Sequence, residues 1–222
     1  MKYLPSFLLS LLLLCILGTA QAQQNKPPFW DEIQAFKKQD SLQAPPKDAI
    51  LFVGSSSFRM WGNVQEMFPE HKIINRGFGG STLPDLAYYL NDIVFPYQPR
   101  QVVIYSGEND IASGTVHAQE VFKRFEAVFT AIREKLPKAT LTFVSIKPSP
   151  SREQYMPVVV EANNLIKSYL KKQKNAQFVD VYPLMLQKNG KPMADIFIED
   201  NLHMNQKGYT IWQNALRPYL KK

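Results

Sequence analysis

Asp200 and His203 have residue types and a spacing suited to moving a proton. A carboxylate three positions before an imidazole can accept one ring N–H, fix the tautomer and stabilise the imidazolium that forms when the other nitrogen takes a proton. The other two histidines read as surface residues: His71 follows Phe68-Pro69-Glu70 in a connector and His117 opens a helix. A base needs a hydroxyl to act on, and Ser56 stands two residues past Gly54, in Gly54-Ser55-Ser56-Ser57, at the end of an apolar run. The glycine lets the backbone turn sharply there and leaves the Ser56 N–H to face a developing oxyanion. Asn109, in Gly107-Glu108-Asn109-Asp110, adds a neutral side-chain donor, and Gly79 or Gly80, in Gly77-Phe78-Gly79-Gly80-Ser81, a main-chain one. Hydroxyl, base, orienting carboxylate and oxyanion donors are the parts of acyl transfer through a serine. The serine is not in a G-x-S-x-G elbow, because Phe58 occupies the place of the second glycine. Glu108 and Asp110 flank Asn109, yet no second acidic cluster or paired histidine accompanies them, so no metal is expected.

These residues lie far apart in the chain, and the hydrophobic pattern indicates how they meet. Ala49-Ile50-Leu51-Phe52-Val53 is a continuous apolar run of the kind a buried parallel strand shows, and 72–75, 101–105, 141–146 and 177–181 are further strands. Helices are expected over 83–95, 116–136, 158–170 and 206–216, the last with Asn205 as N-cap. In the second of these Phe122, Phe125, Phe129, Ile132 and Leu136 form one apolar stripe. Strands alternating with helices predict an α/β fold, an open parallel sheet of about five strands with helices on both faces. Such sheets bind ligands at the carboxyl ends of their strands, where Ser56, the glycine pair and Asn109 all fall.

In this order the segments resemble the four blocks of the SGNH hydrolases, also called the GDSL esterase/lipase family: Gly54-Ser55-Ser56-Ser57, Asn75-Arg76-Gly77-Phe78-Gly79-Gly80-Ser81, Gly107-Glu108-Asn109-Asp110 and Asp200-Asn201-Leu202-His203. The resemblance spans about residues 48–220. It implies a flavodoxin-like, three-layer α/β/α sandwich and a carboxylic ester hydrolase that needs no cofactor. By it Ser56 is the nucleophile, His203 the general base and acid and Asp200 its orienter, with the Ser56 N–H, the Gly80 N–H and the Asn109 side chain as the oxyanion hole. The first block departs from the usual Gly-Asp-Ser-Leu, since Ser55 and Ser57 replace the aspartate and the leucine. Aligning Ser81 with the family's usual Asp or Asn selects Gly80 over Gly79. Trp61, Phe78 and Tyr155 are candidate walls of a substrate pocket near the strand ends. No long apolar lid segment is apparent, which favours short-chain acyl or acetyl esters on a small-molecule or glycan carrier over a lysophospholipid or thioester. A glycan- or lipid-binding module on the same fold is the rival reading, and the intact trio of Ser56, Asp200 and His203 argues against it.

Composition sets the outer bounds. With 222 residues, 45% hydrophobic and 20% charged, the chain is neither disordered, collagen-like nor coiled coil. The net charge of +7 is scattered, and its dense runs, Lys171-Lys172-Gln173-Lys174 and Lys221-Lys222, read as a solvated helix end and tail, so no nucleic-acid partner is expected. Residues 1–22 read as a secretory signal peptide: Lys2, an apolar run from Phe7 to Leu17, and Ala20-Gln21-Ala22 as cleavage site. The run is shorter than the roughly 20 residues of a membrane span, so the cleaved chain is expected to be periplasmic without stable membrane insertion. Cys15, the only cysteine, lies in that run, so the cleaved chain has no disulfide and no thiolate. Bulky Leu14 before it argues against lipid attachment. The expected organisation is a signal at 1–22, a leader and short helix at 23–47 with the helix over 29–38, and an esterase domain at 48–222.

Overall fold

Five short strands form one all-parallel sheet: β1 (Ile50–Gly54), β2 (Ile73–Gly77), β3 (Gln101–Tyr105), β4 (Thr140–Val144) and β5 (Ala176–Val179). The computed structural model describes residues 26–221, so the expected signal segment 1–22, with Cys15 and its cleavage site, lies outside the described residues. The strand order is β2-β1-β3-β4-β5. The chain thus leaves β1 to one side and returns on the other, which opens a crevice at the carboxyl ends of β1 and β3.

The strands read as continuous apolar runs because both faces of the sheet are covered. Leu51, Val53, Val102, Ile104, Leu141 and Phe143 point into one core, and Ile50, Phe52, Val103, Tyr105 and Val144 into the other. Among the described residues nine α-helices accompany the strands: α1 (Trp30–Leu42), α2 (Ser56–Arg59), α3 (Val64–Met67), α4 (Leu83–Tyr88), α5 (Leu90–Ile93), α6 (Glu108–Ala112), α7 (Ala118–Lys135), α8 (Met156–Leu170) and α9 (Gln206–Leu216). Buried residues of α1, α4, α5, α7 and α8 fill the first core, and those of α2, α3 and α9 the second. The aromatic stripe of α7 meets α8 and the sheet through Phe125, which lies edge-on to Phe143 at 4.9 Å, and through Phe129, 5.4 Å from Tyr169.

Several boundaries differ from the sequence reading for local reasons. β2 runs on to Gly77 because its pairing with β1 continues to Gly54↔Gly77. β5 stops at Val179, where its pairing with β4 ends and the Val181 N–H turns to Ser145 Oγ. The helix expected over 83–95 is broken at Tyr89 (φ −97°, ψ 8°), whose ring is buried against Phe78 and whose hydroxyl donates to the Pro28 carbonyl. The first helix reaches Leu42 because Asp40 in its last turn is held by Arg76 and Tyr97. His71, expected at the surface, is buried, with its main-chain N–H on the Phe68 carbonyl. Asn205 caps α9 as expected, accepting from the Lys207 and Gly208 N–H groups.

Candidate active site

Register brings the candidate residues to one level. Gly54 pairs with Gly77 on one side and with Tyr105 on the other, so β1, β2 and β3 end together. The loops that follow carry Ser56, the Gly79-Gly80 pair and Asn109 to the same edge of the sheet. Gly54 is required there: it has φ +128°, and a Cβ on it would lie 1.9 Å from the Tyr105 carbonyl oxygen. The Ser55 N–H donates to that oxygen at 3.0 Å, which fixes the turn into α2 and sets Ser56 at its first position.

From the far end of the chain a tight loop delivers the base. An antiparallel bridge between Phe197 and Met204 closes it. Asp200 Oδ1 accepts from the Leu202 and His203 N–H groups at 2.9 and 2.8 Å, and Oδ2 lies 2.5 Å from His203 Nδ1. Burial raises the Asp200 pKa, but the hydrogen bonds from His203 and the two main-chain donors outweigh it and bring the carboxyl down to about 2. An ionised carboxylate only accepts, so Nδ1 carries the proton and Nε2 is left as an acceptor. Nε2 lies 2.8 Å from Ser56 Oγ. The stabilisation linked to Asp200 is present above its unfolded value of about 3.9 and is lost only as pH falls through about 2.

The oxyanion donors are sorted by which N–H groups are already taken. The Gly79 N–H points at the Glu32 carboxylate, 3.1 and 3.3 Å from its two oxygens. Among the described residues the Gly80 and Ser56 N–H groups have no acceptor, and Gly80 has φ +57°. Asn109 donates through Nδ2 to the Ser81 carbonyl at 3.0 Å and accepts at Oδ1 from Arg152 Nη2 at 3.0 Å. A carbonyl can only accept and a guanidinium only donate, so these partners fix which end of the carboxamide is which and leave one Asn109 N–H uncommitted. Glu32 comes from α1, which also brings its carboxylate to 3.6 Å from Arg59. Glu32→Ala is expected to loosen the Gly79-Gly80 turn and lower kcat for ester hydrolysis roughly tenfold, within the hundredfold that an ångström of misplacement can cost. Steady-state kinetics with the Ser56 labelling stoichiometry unchanged would show it.

Beneath these groups lies a buried charge cluster that sequence reasoning missed. Lys147 Nζ is 2.8 Å from both oxygens of Glu108, to which Tyr105 Oη and Ser149 Oγ also donate at 2.7 and 3.1 Å. Burial raises the Glu108 pKa, and Lys147 and Arg152 more than reverse this, holding it below the ordinary carboxylate range. Asp110 faces elsewhere, accepting from the Leu83 N–H and pairing with Arg124 at 3.0 and 2.9 Å. The two acids that flank Asn109 are therefore matched by separate cations. No cluster suited to a metal ion occurs among the described residues. A signal for Lys147 and Arg152 existed: Ser145-Ile146-Lys147-Pro148 follows β4, and charged residues just past a strand end are the ones to inspect.

Two expected pocket walls are core residues instead. Trp61 is fully buried, stacked on Tyr209 at 5.0 Å with its indole N–H on Met67 Sδ at 3.0 Å. Phe78 is fully buried between Phe29 and Tyr89, at 5.3 and 5.9 Å. Both follow strand ends, but their rings turn inward because each completes one of the two cores. Tyr155 is half-buried and packs on the first core, so only it keeps a partly open face.

Comparison with known proteins agrees with this fold. In fold the chain is similar to a protein of Bacteroides fragilis NCTC 9343 described as an acylhydrolase, with a TM-score of 0.74 and 22% identity over 86% of this chain and 96% of that one. It is similar to a GDSL-like lipase of Bacteroides thetaiotaomicron, with a TM-score of 0.70 and 21% identity over 84% and 96%. A catalytic mutant of an acetylxylan esterase from Geobacillus stearothermophilus gives a TM-score of 0.63 and 16% identity over 79% and 96%. No curated protein sequence matches. The sequence profile of the GDSL-like Lipase/Acylhydrolase family matches residues 40–211. With that match over most of its length and the five-stranded parallel sheet of the SGNH fold, the chain belongs to the GDSL-like lipase/acylhydrolase family of ester hydrolases.

Proposed function

We propose that this chain hydrolyses carboxylic esters of short acyl groups, acetyl foremost, through an acyl-serine intermediate, and that it works in the periplasm after loss of residues 1–22. The observation that carries the reading is the line Ser56 Oγ, His203 Nε2, His203 Nδ1, Asp200 Oδ2, with steps of 2.8 and 2.5 Å across it. Ser56 Oγ attacks the ester carbonyl as its proton passes to Nε2. The oxyanion is received by the Ser56 and Gly80 N–H groups and the remaining Asn109 N–H, donors worth about 2.7–4 kcal/mol each in comparable sites. The collapsing intermediate expels the alkoxide, which takes the proton from His203. Water then attacks the acyl-serine with His203 as base again, releasing the acid and restoring Ser56.

A short acyl group on a polar carrier is favoured by the borders of the site. Glu32, Arg59 and Arg152 lie around the oxyanion loops, while Trp61 and Phe78 present no surface to a long acyl chain. Among the described residues no helix is long and apolar enough to cross a membrane. The likeness to an acetylxylan esterase is one of fold, and an acetylated glycan is in keeping with it. The chain from Gln23 onward is expected to hydrolyse p-nitrophenyl acetate with kcat/KM at least tenfold above p-nitrophenyl octanoate. An octanoate preference would overturn the short-acyl reading. No turnover together with no labelling by a fluorophosphonate would overturn the hydrolase reading in favour of a binding module.

A further inference from the structure

We propose that Arg152 is a positioning residue of the oxyanion site, one that holds the Asn109 carboxamide in its donating orientation and places a positive charge behind it. The inference rests on the esterase reading and adds a residue to it. Asn109 is gripped at both ends: Nδ2 by the Ser81 carbonyl and Oδ1 by Arg152 Nη2, each at 3.0 Å. Rotation about the last side-chain bond would break both bonds at once, so the uncommitted N–H keeps one direction. A charged donor on Oδ1 also draws electron density from the amide nitrogen, which makes the remaining N–H a stronger donor when an oxyanion forms beside it.

The charge cluster explains why this guanidinium stays available. Glu108 already receives Lys147 on both oxygens at 2.8 Å. Arg152 Nη1 stands 3.8 Å from Glu108 Oε1 and makes no hydrogen bond, so the carboxylate steers the arginine without neutralising it. With Lys147 committed to Glu108, the Arg152 guanidinium is the charge that faces Asn109. The turn carrying Arg152 is itself anchored to the base loop, because the Ser151 N–H and Oγ both donate to the Asn201 carbonyl, at 3.1 and 2.9 Å. One short segment after β4 therefore ties the oxyanion side of the site to the Asp200–His203 side.

A double-mutant cycle tests this with p-nitrophenyl acetate as substrate. Asn109→Ala is expected to lower kcat about 10²–10³-fold. Arg152→Met is expected to lower kcat 10- to 100-fold with KM changed less than threefold, and Arg152→Lys to recover part of that loss. In the Asn109→Ala background Arg152→Met should cost less than twofold more, because the group it positions is gone. Equal losses in both backgrounds, or a loss confined to KM, would overturn the role of Arg152 while leaving the esterase reading intact. Wild-type hydrolysis that does not depend on Ser56 would overturn the esterase reading, and this inference with it.

Discussion

Ser56→Ala is expected to lower kcat for p-nitrophenyl acetate by about 10⁴-fold or more, with the residual rate supplied by the oxyanion donors and binding alone. Among the described residues the hydroxyl is the only group that stands on His203 Nε2. Ser55 and Ser57 do not substitute for it: they are 2% and 1% exposed, against 9% for Ser56, and neither makes a hydrogen bond to His203. Because serine and histidine act as one unit, Ser56→Ala/His203→Ala should be no slower than either single variant. The alanine removes one hydroxyl at a solvent-reached edge, so the thermal midpoint should move by no more than a few degrees. In the wild type Asp200 is expected to add no inflection of its own to the rate between pH 4 and 10, because its carboxyl is held down to about 2 and stays charged through that range. Retention of full activity by Ser56→Ala would move the nucleophile elsewhere.

What the sequence disclosed and what it concealed divide along physical lines. The parallel sheet was legible because strands buried on both faces become unbroken apolar runs, as in Ala49-Ile50-Leu51-Phe52-Val53. Ser56 and Asn109 were legible because polar groups placed just beyond such runs have little structural reason to be there, Asp200 and His203 because of their types and three-residue spacing, and the structure brings all four to one edge of the sheet. The choice between Gly79 and Gly80 was harder. It turns on Glu32, 47 positions away on α1, which takes the Gly79 N–H, and no local pattern encodes that contact. Trp61 and Phe78 misled for the opposite reason: they stand near strand ends, but a ring's direction depends on which core needs filling. The pairing of Glu108 with Lys147 was concealed most completely, although the position of Lys147 after a strand end marked it for inspection. Thirty-nine positions separate them, and an isolated lysine in an apolar segment gives no sign of the acid it is buried against.

That buried pair carries a large expected stability effect. Lys147→Met keeps the length and most of the volume of the side chain but leaves the Glu108 carboxylate without the cation that contacts both its oxygens. Breaking a buried pair from one side typically costs about 3–5 kcal/mol, which for a domain of this size corresponds to a fall of roughly 10 °C in Tm. Tyr105 and Ser149 still donate to the carboxylate, and Arg152 remains 3.8 Å away, so the protein is expected to fold. The pH dependence gives the mechanism a sign. In the wild type Lys147 and Arg152 hold the Glu108 pKa below its ordinary value, so the pair's contribution is present above the unfolded value of about 4.3 and lost as pH falls through the folded one. In Lys147→Met burial is opposed only by Arg152 and the Tyr105 hydrogen bond, and the Glu108 pKa should rise above its unfolded value. The stability gap between variant and wild type should therefore be widest near pH 7.5 and narrow toward pH 5, as the stranded carboxylate takes up a proton. Urea denaturation at the two pH values measures this directly. Glu108→Gln/Lys147→Met, which has no charge to strand, should recover most of the loss at pH 7.5. Such recovered stability would not restore full activity, because without Glu108 the Arg152 guanidinium loses the carboxylate that aims it at Asn109. A gap that stayed constant with pH, or a double variant as unstable as Lys147→Met, would mean that Lys147 acts through its contact with the Phe197 ring, 5.7 Å from its ammonium, rather than through Glu108.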